Sequence, residues 1–180
     1  MGMICSHKSG IIGGMLLPVL LSGCVTDSIE EPWSIGVGDR CPSFEVAMDD
    51  GTLLSTGMLE GKRSLIMFFD TGCADCRREL PVVQEVYDIV KSGEAADVEF
   101  VCISRGEGEA EVGAYWRDNG LSLPYSAQSD AAVYHLFASS VVPRIYVVSA
   151  DLVITASYSD YPLPDRFVLL SALGVGYVSD

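Results

Sequence analysis

The sequence predicts an α/β domain, in which helices flank a central mixed sheet and a β-hairpin comes first along the chain. Strand-like apolar segments alternate with segments of helical spacing, which favours parallel strand pairing. The last two strand-like segments lie close together, which favours an antiparallel edge. The hairpin is predicted at 46–54, because Asp49-Asp50-Gly51 is a strong turn signal between two short strand-like segments.

Each further element follows from its local pattern. The turn at Gly61-Lys62 leads into an apolar run at Ser64–Phe69, which has the length of a buried strand. From about Asp75 to Val90 the apolar residues recur at helical spacing, and Pro81 is expected to kink the first turns of that helix. The later elements are predicted as a strand at 98–104, a helix at 106–119 ended by Gly120, a short helix at 129–138, strands at 144–148 and 152–157, and a helix at 165–173.

The N-terminal residues have the pattern of a secretory signal. His7 and Lys8 precede an apolar run at 11–21, which is too short to cross a bilayer and contains glycines and a proline that disfavour a buried helix. The run ends in Leu21-Ser22-Gly23-Cys24, which resembles the bacterial lipobox, where the cysteine is lipidated. We expect a lipoprotein held in the cell envelope through Cys24, with ordinary secretion as the alternative. The expected segments are a signal peptide at 1–23, a tether at 24–34 and one domain at 35–180.

Composition narrows the possible partners and the redox compartment. The 180 residues carry a formal net charge of −14, so binding of nucleic acid through a basic patch is excluded. If Cys5 leaves with the signal and Cys24 carries lipid, four of the six cysteines remain, in a compartment where disulfides persist. Cys41 and Cys102 are expected to be structural, and the sequence leaves open whether they pair. Core packing roles are expected for Trp116 and Tyr125, and His135 is expected to be a packed or edge residue rather than a base.

The segment Cys73-Ala74-Asp75-Cys76 lies between the predicted strand and the predicted helix. Two cysteines at this spacing can close a small disulfide ring, and a helix N-terminus favours a thiolate. The arrangement suits the transfer of an electron pair between dithiols and disulfides, and it needs no organic cofactor. Zinc sites use the same spacing, but they need further cysteine or histidine ligands. The chain has no second C-x-x-C, and His135 is the one histidine that follows the expected signal peptide, so no metal is expected. A structural disulfide is the other alternative, although so short a loop removes little chain entropy.

The residues around this motif have separable expected roles. Cys73, at the helix start, should be the nucleophile, and Cys76, one turn inside on the same face, should resolve the mixed disulfide. The charge of Asp75 should oppose the thiolate and that of Arg77 should favour it. Glu79 follows Cys76 by three residues and therefore faces the same side. It either tunes the cysteines or is an ordinary surface carboxylate.

Three blocks of the sequence occur in an informative order: Gly38-Asp39-Arg40-Cys41-Pro42-Ser43-Phe44, then Phe68–Pro81 with both cysteines and a Glu-x-Pro, then Val142-Pro143 followed by a strand. With these blocks, residues from about 35 to 175 resemble the TlpA/ResA type of membrane-anchored, thioredoxin-like thiol–disulfide oxidoreductases. The resemblance implies a thioredoxin-like fold. It also implies that Glu79 tunes the cysteines and passes protons.

The same resemblance implies that Pro143 is a cis-proline beside the cysteines, and that Val142 pairs its backbone with an extended substrate. Two departures from the family pattern alter the rim of the site. Gly72 stands where the family usually has tryptophan, and Val141-Val142 and Arg144 flank the proline where Gly-Val and threonine are usual. Substrate binding is therefore assigned to Gly72, Val142 and Arg144, with Cys73, Cys76, Glu79 and Pro143 as the catalytic set.

The expected partners are protein disulfides and an unknown electron donor, with the membrane contacted through lipid on Cys24. Two other functions stay open. A peroxiredoxin shares the entry motif but needs Thr-x-x-Cys, whereas Thr71 precedes Cys73 by two residues. A non-catalytic binding module with a fixed disulfide is the second, because the tryptophan is missing.

Overall fold

The computed structural model describes residues 32–93 and 97–176, so the expected signal peptide, Cys24 and most of the tether lie outside the described residues. The strands are β1 (Glu45–Ala47), β2 (Leu53–Ser55), β3 (Arg63–Phe69), β4 (Val98–Ser104), β5 (Tyr125–Ser126), β6 (Arg144–Val148) and β7 (Ile154–Tyr158). The helices are α1 (Ala74–Ser92), α2 (Glu109–Asn119) and α3 (Arg166–Ala172), with short 3-10 turns at Thr56–Leu59 and Tyr134–Leu136.

Within these residues, five strands form a mixed sheet in the order β5-β4-β3-β6-β7. β3 pairs in parallel with β4, and β4 with β5, whereas β6 is antiparallel to both β3 and β7. β1 and β2 form a separate antiparallel hairpin. The predicted mixed sheet, its antiparallel edge and the N-terminal hairpin are confirmed. β3 is therefore the central strand, and its C-terminal end is where the C-x-x-C motif begins.

Aromatic contacts show what covers each face of the sheet. On one face, Phe69 of β3 contacts Trp116 of α2, with ring centroids 4.9 Å apart, and Phe100 of β4 contacts Tyr87 of α1 at 5.3 Å. On the other face, Phe68 contacts Phe137 in the segment before β6, at 4.8 Å. Both faces of β3 are thus buried, which explains its continuous apolar run. Each fully buried side chain of this kind contributes about 1.5–3 kcal/mol to stability.

The segment 129–138 departs from the prediction. The expected helix is wrong, because only Tyr134–Leu136 forms a 3-10 turn. The apolar spacing in this segment reflects packing on the sheet: Tyr134, Phe137 and Ala138 are buried, while His135 is exposed. The helix predicted at 106–119 begins later, at Glu109, because Gly106 has a φ of 87°.

The expected packing roles of the other aromatic and sulfur-containing residues are confirmed. Trp116 and Tyr125 are both buried in the core. Cys41 and Cys102 are free, unpaired cysteines, and both are buried. Burial raises the pKa of the Cys41 thiol to about 11 and that of Cys102 to about 12, so both thiols stay protonated at neutral pH.

The described chain is attached to the domain from its first residues. The backbone N–H of Trp33 donates to Oγ of Ser139 at 2.8 Å, and the N–H of Ser139 donates to the carbonyl of Trp33 at 2.9 Å. These bonds lie beside the loop that leads into β6. Within the described residues, no helix has the length and the apolar character needed to cross a bilayer.

Candidate active site

A short turn connects the end of β3 to α1. The N–H of Cys73 donates to the carbonyl of Asp70 at 3.1 Å, and the N–H of Gly72 donates to Oδ1 of Asp70 at 2.7 Å. A side chain at Gly72 would start only 3.0 Å from that carboxylate oxygen, so glycine suits the tight turn. α1 begins at Ala74 with Cys73 as its N-cap residue. Cys73 thus lies at the start of α1, next to backbone N–H groups that have no partner within the helix.

The thiol of Cys73 faces the loop that precedes β6. It is half-buried, and its Sγ lies 3.4 Å from the carbonyl oxygen of Val142, to which the thiol donates a hydrogen bond. The peptide bond between Val142 and Pro143 is cis, as the resemblance implied. The structure therefore brings together two segments that lie far apart in the sequence. One is the C-x-x-C turn, and the other is the loop of residues 140–143 before β6, called here the proline loop.

The second cysteine of the motif is shielded from solvent. Cys76 is fully buried and forms no disulfide, so the pair is described in its reduced, dithiol form. Burial raises the pKa of the Cys76 thiol far above its ordinary value, a backbone hydrogen bond from Asp70 opposes this, and the Cys73 thiol adds to it. One accessible and one protected sulfur lie side by side.

Glu79 lies on the buried face of α1, with only 1% of its surface exposed. Its Oε1 has no hydrogen-bond partner in the described part of the chain. Burial, and to a smaller extent the negative charge of Asp165, raise the pKa of this carboxyl to about 7. Asp165 is the N-cap residue of α3, which packs against α1. The alternative of an ordinary surface carboxylate is therefore wrong for Glu79.

The charges next to the cysteines are arranged differently from the simple sequence picture. Asp75 forms an ion pair with Arg78, so the positive charge of Arg78 partly compensates the negative charge that Asp75 presents to the cysteine sulfurs. Arg77 donates from Nε to the carbonyl oxygen of Thr71 at 2.5 Å, which ties the first turn of α1 back to the turn before Cys73.

Glu107, in the loop after β4, is a site residue that the sequence patterns did not single out. Its carboxylate accepts from the backbone N–H of Thr71 at 2.6 Å and from the Thr71 hydroxyl at 2.5 Å. The signal was available in the topology, because the C-terminal ends of parallel neighbours such as β3 and β4 lie at the same edge of a sheet. Glu107 thereby binds two polar groups of Thr71, and Arg77 binds the third, the carbonyl oxygen.

Arg144 and Tyr134 both hold the proline loop. Arg144 donates from Nε and Nη2 to the carbonyl of Ser140, at 3.3 and 3.2 Å. The hydroxyl of Tyr134 donates to the carbonyl of Val141 at 2.9 Å. Val141 has a φ of 69°, which is uncommon for a β-branched residue. The sequence marked Arg144 and the unusual Val141-Val142 pair, but it gave no sign that Tyr134 contacts them.

No cluster of three or more His, Cys, Asp or Glu side chains able to hold a metal ion occurs in residues 32–93 and 97–176. The groups that the structure brings together at this site are two thiols, a buried carboxyl and a backbone carbonyl. A dithiol next to an open backbone edge can exchange with the disulfide of an extended chain.

Comparison with known proteins gives matches over most of the chain. The model of the AhpC/TSA family matches residues 37–157. Thiol-disulfide oxidoreductase ResA of Bacillus subtilis is 25% identical over 118 residues, which are 66% of this chain and 64% of that protein. The chain thus spans just under two thirds of that relative's length.

Solved structures resemble the fold closely. A protein from Bacteroides thetaiotaomicron superposes with a TM-score of 0.68 at 21% identity, covering 79% of this chain and 91% of that one. A thiol:disulfide interchange protein of the thioredoxin family from Chlorobium tepidum superposes with a TM-score of 0.65 at 22% identity, covering 76% and 94%. The fold is thioredoxin-like, as the resemblance implied.

Proposed function

The chain belongs to the AhpC/TSA family, and from that premise we propose that it is an exported, lipid-anchored thiol–disulfide oxidoreductase that reduces protein disulfides through Cys73 and Cys76. Its similarity to proteins named thiol-disulfide oxidoreductase ResA supports the reaction class. The observation that carries the proposal is the 3.4 Å approach of the Cys73 sulfur to the Val142 carbonyl, with Cys76 buried directly behind it.

The exchange proceeds in two steps that balance in electrons and protons. The Cys73 thiol loses its proton and the thiolate attacks one sulfur of the substrate disulfide. The substrate S–S bond breaks, a mixed disulfide forms, and the leaving sulfur takes up a proton to become the first substrate thiol. Cys76 then loses its proton and attacks the Cys73 sulfur, which releases the second substrate thiol. The protein pair is oxidised to a disulfide and the substrate disulfide is reduced to two thiols. An electron donor, also a dithiol in class, must then restore the pair.

Glu79 is proposed as the proton acceptor and donor for this exchange. Cys76 needs to lose a proton in a site where burial raises its pKa, so a nearby base is required. Glu79 is buried on the same face of α1, and its pKa of about 7 leaves it partly protonated at neutral pH. It can therefore take a proton in one direction of the reaction and return it in the other.

The proline loop is proposed to bind the substrate backbone. Val142 presents its carbonyl beside Cys73, where an extended substrate segment can pair with the loop next to Pro143. Gly72 is exposed and has no side chain to cover the sulfur from the other side. Arg144 fixes the loop through Ser140, which supports a role at the substrate side of the site.

The test is reduction of insulin by dithiothreitol with the purified domain as catalyst. Cys73→Ser should abolish catalysis because it removes the attacking sulfur, and Cys76→Ser should accumulate a mixed disulfide with substrate. Cys41→Ala is the matched control, since it removes a buried thiol that donates to the Pro42 carbonyl, at 3.7 Å. If Cys73→Ser retains catalysis, or if Cys76 proves to be the thiol alkylated at neutral pH, the assigned roles are wrong.

Peroxide reduction is the alternative function, and the match to the AhpC/TSA family leaves it open. The structure argues for the disulfide substrate, because the Thr71 hydroxyl donates to Glu107 at 2.5 Å and is not free to orient a peroxide at Cys73. Hydrogen peroxide consumption that exceeds insulin reduction, and that Thr71→Val diminishes, would favour the peroxiredoxin.

The lipid anchor and the envelope location are supported by the sequence alone, through the short apolar run and Leu21-Ser22-Gly23-Cys24. A non-catalytic binding module would keep its disulfide fixed. It is the less favoured function, because a fixed structural disulfide has no need of the accessible Cys73 sulfur or of the buried Glu79 carboxyl.

A further inference from the structure

We propose that Tyr134 is a positioning residue for substrate binding: its hydroxyl holds the Val141 carbonyl, and through it keeps the Val142 carbonyl opposite the Cys73 sulfur. The inference deepens the proposed function and rests on it. It concerns the proline loop rather than the cysteines, so its consequences fall on the docking of an extended substrate and not on the thiol chemistry.

The backbone conformation of Val141 needs a stabilising contact from another part of the protein. Its φ of 69° lies in the left-handed region, where the β-carbon of an L-residue crowds the following carbonyl, and a β-branched side chain makes this worse. The Val141 side chain is 38% exposed, so packing of that side chain gives little compensation. Such a conformation persists only where neighbouring contacts enforce it.

Tyr134 supplies that contact from a fixed position. It is 1% exposed, and its ring meets Phe68 of β3 edge to face, with centroids 5.6 Å apart. Its hydroxyl is 2.9 Å from the carbonyl oxygen of Val141, the residue before Val142. A buried ring that packs against the central strand therefore sets the position of the loop that faces the cysteine.

The same ring is also linked to the opposite wall of the site. The guanidinium of Arg105 lies 5.4 Å from the centre of the Tyr134 ring, a cation–π distance. Nη2 of Arg105 lies 4.0 Å from Oδ2 of Asp70, and Asp70 begins the turn that places Cys73. Tyr134 is therefore placed relative to both the cysteine turn and the proline loop.

Loss of the hydroxyl frees the Val141 carbonyl, and we expect the loop to relax toward negative φ and to turn the Val142 backbone away from Cys73. An extended peptide disulfide then loses the backbone pairing that orients it. A small aromatic disulfide, which reaches the sulfur without strand pairing, is unaffected. This difference separates positioning from a general loss of structure.

The experiment compares the parent with Tyr134→Phe, which keeps the buried ring. For a disulfide-bonded peptide, KM rises and kcat/KM falls by about tenfold, the size expected for one buried hydrogen bond. The second-order rate constant with 5,5′-dithiobis(2-nitrobenzoate) stays within about twofold of the parent, since Cys73 itself is untouched. Tyr125→Phe is the matched control, because it removes a 2.7 Å hydroxyl bond to Glu109 on α2, and both rates stay near those of the parent.

Val141→Gly provides a rescue test, because glycine adopts a positive φ without the steric penalty. Adding Tyr134→Phe to the Val141→Gly background should lower kcat/KM for the peptide disulfide by a smaller factor than it does in the parent. An equal loss in both backgrounds, or an equal loss with the small disulfide, overturns the proposal.

Failure of the proposed function has a different outcome. If the reduced parent reacts with the small disulfide but reduces no peptide disulfide, the function is wrong. Tyr134 is then judged from amide hydrogen exchange at Val142, which the positioning role predicts to be faster in Tyr134→Phe and unchanged in Tyr125→Phe. Unchanged exchange in both variants overturns the role.

Discussion

Burial acts in the same direction on two neighbouring groups of α1. Cys76 and Glu79 both lie on the inner face of the helix, and burial raises the pKa of each because both become charged when they lose a proton. The protein thereby holds a protonated thiol and, below about pH 7, a protonated carboxyl three residues apart. Ionising the carboxyl costs folding free energy, and that cost is measurable without any substrate.

We predict that Glu79 makes the protein less stable as pH rises. Its folded pKa of about 7 exceeds the ordinary value of 4.5, so the folded state binds more protons than the unfolded state between these values. The stabilisation is complete below about pH 4.5 and is lost as pH passes through 7, by up to about 3 kcal/mol. Urea unfolding of the parent from pH 5 to 8 should show the decline, and Glu79→Gln should flatten it.

Glu111→Gln is the control for that measurement, because Glu111 is an exposed carboxylate in the first turn of α2. It should leave the pH dependence of the parent unchanged. A Glu79→Gln curve parallel to that of the parent would show that the carboxyl is not held protonated by burial.

At the scale of elements, the predictable parts are those with local signals. β4 and β6 were predicted to the residue, because Val98–Ser104 and Arg144–Val148 are apolar runs between turn residues. The helix at 129–138 failed because its apolar spacing serves the packing of aromatic rings on the sheet. β5 was missed because the two residues Tyr125–Ser126 are too few to show a period.

The candidate site divides in the same way. The motif predicted Cys73 at the start of a helix, and the family resemblance implied a cis-proline at Pro143 beside the cysteines. The burial of Glu79 could not be predicted, since it depends on α3, which lies far along the chain, packing over α1. The Thr71–Glu107 and Tyr134–Val141 bonds likewise depend on which strand ends and loops the topology brings together.

The N-terminus of α3 offers a test of this coupling between elements. The Asp165 carboxylate accepts a hydrogen bond from the N–H of Val168 at 2.9 Å and so caps α3. Asp165→Ala removes this cap and should lower the free energy of unfolding by about 1 kcal/mol at pH 5. At pH 8 the loss should be smaller, because removing this charge also lowers the raised pKa of Glu79. Asp165→Asn, which keeps a capping oxygen, should lose little at pH 5. Equal losses for Asp165→Ala at both pH values would mean that α3 does not act on Glu79.

At the scale of the whole molecule, the net charge determines whether the protein is attracted electrostatically to a membrane surface. A formal net charge of −14 gives the chain no electrostatic attraction to an anionic bilayer surface. A covalent lipid would supply membrane attachment without any such attraction. The proposed lipid on Cys24, outside the described residues, would act in this way, because acyl chains bind by burial of apolar surface rather than by charge.

We therefore predict that the native protein stays with membranes after a high-salt wash, whereas Cys24→Ala appears in the soluble fraction of the envelope. Fractionation and immunoblotting in a bacterial host that processes lipoproteins would measure this. Cys5→Ala, a cysteine substitution inside the expected signal peptide, should remain attached. Attachment of Cys24→Ala equal to that of the parent, or a mature chain beginning at Met1, would contradict the anchor.

The uneven exposure of the cysteines also makes the folded protein its own reporter. Residues 32–176 contain four cysteines, and of these Cys41, Cys76 and Cys102 are buried while Cys73 is half-buried. A maleimide dye should couple to Cys73 in the native protein without removal of the other thiols, which places a fluorophore at the mouth of the site. Its emission would then register a docking peptide in real time, and the number of fast-reacting thiols would rise from one to four as the domain unfolds.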